Sequence, residues 1–254
     1  MAEKLDYLRR LLGTMSGFML FGVLGIIYKV ILFPYVKRAK QGDSSQQMQA
    51  RRLIGQIWRL FVRYLVFVGA IEVKYHGFER LGRKGQLIVA NHPSLLDVVL
   101  MFSREPSMNC ICKQDLLNNP AMSSSIIACG FIPNTESEEV LEKCHAALQK
   151  EALLLFPEGT RTGWDGVVNL HRGALSIGLR SAEVITPVII KMTPPSLKKG
   201  QPWYKIPSQK IRYELTVCED IDPQALLAEK PLPIASRRLK KQLEELFNQP
   251  QSSN

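Results

Sequence analysis

A histidine and an aspartate, His92 and Asp97 in "NHPSLLD", have the types and spacing for general-base catalysis. The histidine follows an apolar run that ends at Ala90, so it lies just after the predicted end of a buried strand. We expect a helix to begin at Pro93, with the histidine ring reaching over its first turn to Asp97. A carboxylate on one ring nitrogen fixes the tautomer and leaves the other nitrogen free to take a proton. A capping histidine with an unrelated, solvent-facing aspartate explains this fragment equally well.

A second polar turn follows another apolar run in "ALLLFPEGTR", residues 152–161. Gly159 allows the backbone to come close to a ligand. Thr160 and Arg161 offer a hydroxyl and a bidentate guanidinium to an anionic group such as a phosphate. Two polar turns after two apolar strands are less easily accidental than one, which favours the catalytic interpretation of His92.

Together, "NHPSLLD" and "FPEGTR" resemble the signature motifs of the glycerolipid acyltransferases, a family that includes the lysophosphatidic acid acyltransferases. The resemblance covers residues 71–215. It implies transfer of a fatty acyl group from a thioester, on acyl carrier protein or coenzyme A, to a hydroxyl of a lysolipid. It also implies that His92 is the general base and that Asp97 orients it. The positions that match substrate-binding elements of the family are Asn91, Lys113, Glu158, Gly159, Thr160, Arg161 and Arg172.

This chemistry is consistent with the other patterns in the chain. A lipid hydroxyl is a weak nucleophile, so a base must take its proton as it attacks the thioester carbonyl. The developing oxyanion needs donors, for which the amides next to His92 at the helix start are candidates. The sequence contains no G-x-S-x-G elbow for a covalent acyl-enzyme and no dinucleotide or P-loop motif. We expect neither a bound cofactor nor a metal; the acyl donor is a substrate.

One position departs from the family pattern. Asn134, in "CGFIPNTES", stands where the family has an arginine that holds the phosphate of the acceptor. Asparagine cannot neutralise a phosphate. Either Arg161, Lys113 and Arg172 suffice, or the acceptor is another lysolipid, such as a lyso-ornithine lipid or a glycolipid.

From residue 71 onward the pattern predicts an α/β domain with a mostly parallel sheet layered by helices, over residues 71–254. Ligands gather at the carboxyl ends of strands in such sheets. The predicted strands are "IEVKYHG", "QLIVAN", "MNCICK", "GFIPN", "ALLLFP", "VITPVII" and "IRYELTVC". The predicted helices lie near residues 93–104, 114–128, 137–150, 172–182 and 234–248.

Residues 1–70 predict a membrane-associated helical hairpin. Leu11 to Tyr28 contains no charged residue and is long enough to enter a bilayer if Lys29 extends to the interface. A second helix over 52–73 combines an arginine stripe with a broad apolar face, which is typical of an interfacial helix; a core helix with solvent-facing arginines is the alternative. Basic residues on both sides of the first helix favour a hairpin, with its polar turn at 41–50, over a span or a cleaved signal peptide. We expect the catalytic domain on the cytoplasmic side of the inner membrane.

The formal net charge of +10 predicts an anionic partner. Basic residues concentrate near the N-terminal helices and the last helix, without a nucleic-acid-binding motif, so we expect a phospholipid surface and an acidic acyl carrier and no nucleic acid. The Pro- and Lys-rich segment 194–210 predicts a surface loop. The scattered cysteines indicate a reducing compartment, with Cys110 and Cys112 as buried thiols. A hydrolase that uses the same His–Asp pair and an inactive membrane-bound binding protein are the rival interpretations.

Overall fold

A seven-stranded sheet lies between two layers of helices. The structure, a computed structural model, describes residues 2–39, 43–120, 122–135, 138–198, 200–202 and 204–249. The strands are β1 (Ile71–His76), β2 (Gln86–Ala90), β3 (Asn109–Lys113), β4 (Ile132–Asn134), β5 (Leu153–Leu155), β6 (Val184–Thr193) and β7 (Ile211–Val217). The helices are α1 (Ala2–Ile31), α2 (Phe33–Ala39), α3 (Ser44–Phe67), α4 (Asp97–Arg104), α5 (Ser123–Cys129), α6 (Glu138–Leu148), α7 (Arg172–Ser181), α8 (Pro223–Glu229) and α9 (Leu232–Asn248). All seven predicted strands are present.

The strand order is β1-β7-β6-β2-β5-β3-β4, and only the β6–β7 pair is antiparallel. The predicted mostly parallel α/β sheet is therefore confirmed. The central strand β2 pairs with β5 in a register that sets Val89 opposite Leu155. Because the two strands are parallel, both polar turns predicted to carry chemistry leave the same edge of the sheet side by side.

The two faces of the sheet have separate cores, because successive side chains of a strand point to opposite faces. On the first face, Ile88 and Ala90 pack with residues of α3, α4 and α5. On the second face, Leu87 and Val89 pack with residues of α6, α7 and α9. The predicted boundary at residue 70 coincides with the start of β1, but the helices before it share the first core with the later residues.

Helix α3 corrects two predictions about the N-terminal region. It begins at Ser44, where the Asp43 carboxylate accepts hydrogen bonds from the amides of Ser45 and Gln46, so residues 44–50 are helical and not a polar turn. Residues 40–42 lie outside the described part. The side chains of Ile54 and Trp58 are buried in the first core, so α3 is the core helix of the alternative. Its predicted arginine stripe is exposed at Arg52, Arg59 and Arg63.

Arg51, next to that stripe, lies inside the protein. It is 1% exposed, forms an ion pair with Glu151 at 2.7 Å and donates to the Ser107 carbonyl at 3.0 Å. Asn109 donates to the other carboxylate oxygen of Glu151 at 2.8 Å. This buried pair ties the start of α3 to the amino end of the sheet.

Helix α1 is, among the described residues, the one helix long and apolar enough to cross a membrane. One face packs along α3, where the Tyr64 hydroxyl donates to Ser16 at 2.7 Å and the rings of Phe21 and Phe61 lie 5.8 Å apart. Its other face is an exposed apolar stripe with helical spacing. The α1 stripe consists of Leu5, Leu8, Leu12, Met15, Met19, Val23, Ile26 and Val30.

Further differences concern helix starts and one loop. Helix α4 begins at Asp97 and not at Pro93, and α8 has no counterpart among the predictions. The start predicted for α6 at residue 137 lies outside the described residues. The segment after β6 is not a plain surface loop, because Ser196, Leu197 and Lys198 are buried.

Candidate active site

The predicted contact between His92 and Asp97 is present. His92 Nδ1 lies 2.7 Å from Asp97 Oδ2. Asp97 is fully buried, while the His92 side chain is 20% exposed. With Nδ1–H donated to the carboxylate, Nε2 carries the lone pair that can accept a proton. The His92 ring also packs on the Phe156 ring, with ring centroids 4.5 Å apart and an angle of 31° between the planes, which restricts the orientation of the imidazole.

Ser94 holds Asp97 in place and explains why α4 starts late. Its amide donates to Asp97 Oδ2 at 2.7 Å and its hydroxyl donates to Asp97 Oδ1 at 2.6 Å. The Ser94 hydroxyl oxygen in turn accepts from the Leu96 amide and from the buried Tyr213 hydroxyl, each at 3.1 Å. The chain is therefore wrapped around the carboxylate before it enters the helix, and Asp97 accepts three hydrogen bonds.

Glu158 of the FPEGTR turn contacts the histidine backbone and not its ring. Its Oε1 accepts from the His92 amide at 2.7 Å and from the Thr162 hydroxyl at 3.0 Å. The Thr162 amide donates to the His92 carbonyl at 2.8 Å. Burial raises the pKa of Glu158, and these hydrogen bonds oppose that rise. The geometry thus gives Glu158 a positioning role; its predicted contact with substrate stays a prediction.

These hydrogen bonds also remove two expected oxyanion donors. The His92 amide is bonded to Glu158 and the Ser94 amide to Asp97. Neither amide is free to point at a developing oxyanion.

Asn91 joins the histidine turn to the neighbouring strand β6. Its amide nitrogen donates to the Ile190 carbonyl at 2.9 Å, and its oxygen accepts from the Ile190 amide at 2.7 Å. The side chain thereby extends the hydrogen bonding between β2 and β6 by one residue. Asn91 is buried, and its predicted part in substrate binding stays a prediction.

Lys198 supports the FPEGTR turn from the segment after β6. It is 5% exposed, and its amine donates to the carbonyls of Thr162 and Gly163 at 3.2 and 2.9 Å. Burial lowers the pKa of Lys198, while the nearby carboxylates, Glu158 first among them, raise it. Arg161 completes the attachment by donating to the Leu197 carbonyl at 2.8 Å.

The residues predicted to bind substrate fall into two groups. Thr160, Arg161 and Arg172 line one cleft of about 560 Å³ beside the FPEGTR turn. Gly159, which adopts φ +65° there, forms the tight turn between them. Lys113 lies at the carboxyl end of β3, two strands from β2, where its amine pairs with Asp115 at 2.5 Å and its register partner on β4 is Asn134.

Comparisons with known proteins agree with this geometry. The family model described as Acyltransferase matches residues 72–191, which include both motifs. The match covers a little under half of the chain. It agrees with the family resemblance that the two motifs carry, and in the structure these motifs form one hydrogen-bonded centre.

Individual relatives extend the match. The 1-acyl-sn-glycerol-3-phosphate acyltransferase of Saccharomyces cerevisiae is 27% identical over 146 residues, which cover 53% of this chain and 48% of the relative. The protein of the same description from Helicobacter pylori is 31% identical over 169 residues, which cover 63% of this chain and 65% of the relative. The crystal structure of the acyltransferase PlsC from Thermotoga maritima aligns with a TM-score of 0.67 at 21% identity, over 96% of this chain and 98% of that one. This last similarity establishes the shared fold, including the N-terminal helices.

Proposed function

We propose that this acyltransferase-family protein transfers a fatty acyl group from acyl carrier protein or coenzyme A to the hydroxyl of 1-acylglycerol-3-phosphate or a related lysolipid. The observation that carries the proposal is the contact between His92 and the buried Asp97, with Nε2 left open beside the FPEGTR turn. The named relatives act, by their descriptions, on 1-acyl-sn-glycerol-3-phosphate, which supports this acceptor.

In the proposed reaction, His92 Nε2 takes the proton of the lipid hydroxyl as its oxygen attacks the thioester carbonyl carbon. Asp97 stabilises the imidazolium that forms. Collapse of the tetrahedral intermediate breaks the carbon–sulfur bond. The leaving sulfur takes the proton from His92 and departs as the thiol. The products are the acylated lipid and the free thiol, with no net change of protonation on the enzyme.

The lipid acceptor reaches the site from a membrane surface in this proposal. The α1 stripe exposes apolar side chains along the whole helix, which suits burial in the interfacial region of a bilayer. Buried Arg10 of α1 donates to the carbonyls of Pro207 and Ser208 at 2.9 and 2.6 Å. Those residues precede β7, at the edge of the sheet where β2 also ends, because β7 is antiparallel to β6. The start of the α1 stripe thus lies near the active-site edge. We place this surface on the cytoplasmic face of the inner membrane.

The acceptor phosphate does not require an arginine at position 134 in this proposal. Asn134 ends β4 beside Lys113, whereas Arg161 stands in the turn that carries Glu158. We assign the headgroup to Arg161, with Lys113 as a second cation. An acceptor without phosphate, such as a lyso-ornithine lipid, is the alternative that the asparagine favours.

The test is an acyl-transfer assay with purified protein, both acyl donors and a panel of lysolipids. We expect transfer to lysophosphatidate in the wild type and no transfer by His92→Ala. His145→Ala, which removes an exposed histidine of α6, is the matched control and should retain activity. Release of free fatty acid at the same rate with and without acceptor would instead identify a hydrolase. Equal activity of His92→Ala and wild type would refute catalysis by this motif.

A further inference from the structure

The cleft beside the FPEGTR turn has a wall that the proposed reaction does not use. Its lining includes Glu158, Thr160 and Arg161, which we call the inner wall, and Arg172 of α7 and Lys240 of α9, which we call the outer wall. We call this cavity of about 560 Å³ the α7–α9 cleft. It is large enough for a phosphate and part of the chain that bears it.

Three cations, Arg161, Arg172 and Lys240, line the α7–α9 cleft against two carboxylates, Glu158 and Asp165. The Glu158 carboxylate is hydrogen-bonded to the His92 amide, and Asp165 accepts from the Val167 amide at 3.2 Å. Within the described part of the chain, the Arg172 guanidinium makes no ion pair or side-chain hydrogen bond. The Lys240 amine forms a partly exposed ion pair with Glu244 and donates to Asn169, each at 3.4 Å. Both cations can therefore turn toward an anion, for which the positive N-terminal end of α7 adds support.

The proposed reaction involves a phosphate of the lysolipid acceptor and a phosphate of the acyl donor. The position of the cleft decides which of the two it could bind. Both α7 and α9 pack on the second face of the sheet, whereas α1 and its apolar stripe belong to the first face. The His92 ring also lies toward the first face, against Phe156 and Asp97. A lysophosphatidate carries its phosphate only a few bonds from the reacting hydroxyl, so that phosphate must stay close to the ring. The start of α7 and the His92 turn each bond to the FPEGTR turn at a different residue: the His171 amide donates to the Pro157 carbonyl at 2.9 Å, and the His92 amide donates to Glu158.

We propose that Arg172 and Lys240 bind the phosphate of the donor's 4′-phosphopantetheine arm. Coenzyme A and acyl carrier protein share this phosphate, and in both the long pantetheine chain separates it from the thioester. The arm runs from the outer wall over the FPEGTR turn and delivers the thioester carbonyl to His92. The water-soluble donor thus enters from the second face while the lipid enters from the first. This inference rests on the proposed acyl transfer.

The test measures KM for each substrate in Arg172→Gln and Lys240→Gln. We expect KM for acyl-coenzyme A and for acyl-acyl carrier protein to rise about tenfold in each variant, the effect of losing one charge-assisted hydrogen bond. KM for lysophosphatidate should not change. The matched controls are Arg180→Gln and Lys241→Gln, which remove the same charges from exposed positions on the same two helices, outside the cleft. Their KM values should equal those of the wild type.

A second measurement isolates the phosphate. Free 4′-phosphopantetheine should bind the wild type more tightly than pantetheine, and Arg172→Gln should remove most of the difference. This binding assay needs no turnover, so it tests the cleft even if the wild type proves unable to acylate any lysolipid, which would overturn the proposed function alone.

Three results would overturn the inference. A rise in the KM for lysophosphatidate instead would assign the cleft to the acceptor phosphate. A rise for acyl-acyl carrier protein without one for acyl-coenzyme A would identify a contact with the carrier's protein surface. Unchanged KM values together with equal binding of pantetheine and its phosphate would show that the cleft binds neither.

Discussion

Replacing Asp97 with asparagine removes the charge beside His92 and keeps the shape of the side chain. The oxygen of the asparagine can still accept from His92 Nδ1 and the Ser94 amide, as Oδ2 does in the wild type. Its amide group then faces the Ser94 hydroxyl, which must turn its proton toward Tyr213, and the Tyr213 hydroxyl must accept that hydrogen bond instead of donating it. The histidine tautomer therefore survives, and the variant isolates the charge of the carboxylate.

The size of the effect follows from the geometry of the pair. Asp97 is fully buried and lies 2.7 Å from a ring that is 20% exposed, so water screens the two charges only in part. For charge centres about 4 Å apart at an effective dielectric constant of about 20, the interaction is about 4 kcal/mol. If the imidazolium of the transition state loses that stabilisation, kcat falls about 10³-fold.

The assay is steady-state acyl transfer from acyl-coenzyme A to lysophosphatidate. We expect the loss in kcat, with KM for both substrates unchanged, because Asp97 contacts neither substrate in the proposed reaction. Glu219→Gln, at a carboxylate that is 96% exposed, is the control for a change in total charge. A folded Asp97→Asn enzyme within tenfold of wild type would refute the stabilisation of the imidazolium by Asp97.

Two further predictions concern buried charges. Arg51→Met removes the cationic partner of Glu151 and leaves it only the hydrogen bond from Asn109 among the contacts described above. The free energy of unfolding, measured with denaturant, should fall by about 3–5 kcal/mol. Glu151→Gln in the same chain should restore part of the loss, and no loss in the single variant would contradict a buried pair. Burial raises the pKa of Glu158 above its ordinary 4.5, so the native state holds that proton more tightly than the unfolded chain. Its stabilisation is therefore present below pH 4.5 and is lost as the pH rises through the native pKa. Glu158→Gln lacks this loss, so its Tm relative to wild type should increase between about pH 4.5 and pH 7; a constant difference would count against the raised pKa.

The parts of the molecule that the sequence predicts are those set by local pattern. Short apolar runs between polar turns mark the central strands, which are buried on both faces of the sheet. An alternation of apolar and polar residues marks β1 and β7. The contact of His92 with Asp97 is predictable because both residues flank one turn. Ser94 could have been found as well: Ser-x-x-Asp is the spacing of a capping box, and its amide donates to Asp97 as that motif requires.

The parts that the sequence does not predict depend on contacts between distant segments. Tyr213 reaches Ser94 across 119 positions, and Lys198 reaches Thr162 across 36. Nothing in a Pro- and Lys-rich stretch distinguishes the buried Lys198 from a solvated lysine. The prediction of a membrane-interfacial helix over 52–73 fails for a similar reason. The apolar face of α3 has the same pattern whether lipid or a protein core covers it.

The shared core of the N-terminal helices and the sheet limits how this protein can be handled. Cutting the chain before β1 would remove Trp58, Phe61 and the other residues of α3 that cover Ile88 and Val188, and would leave that face of the sheet open to water. A shortened catalytic fragment is therefore expected to aggregate. A detergent-free form is better sought by polar substitution along the α1 stripe, at Met19 and Val30 first, since these side chains are among its most exposed and their replacement leaves the core intact.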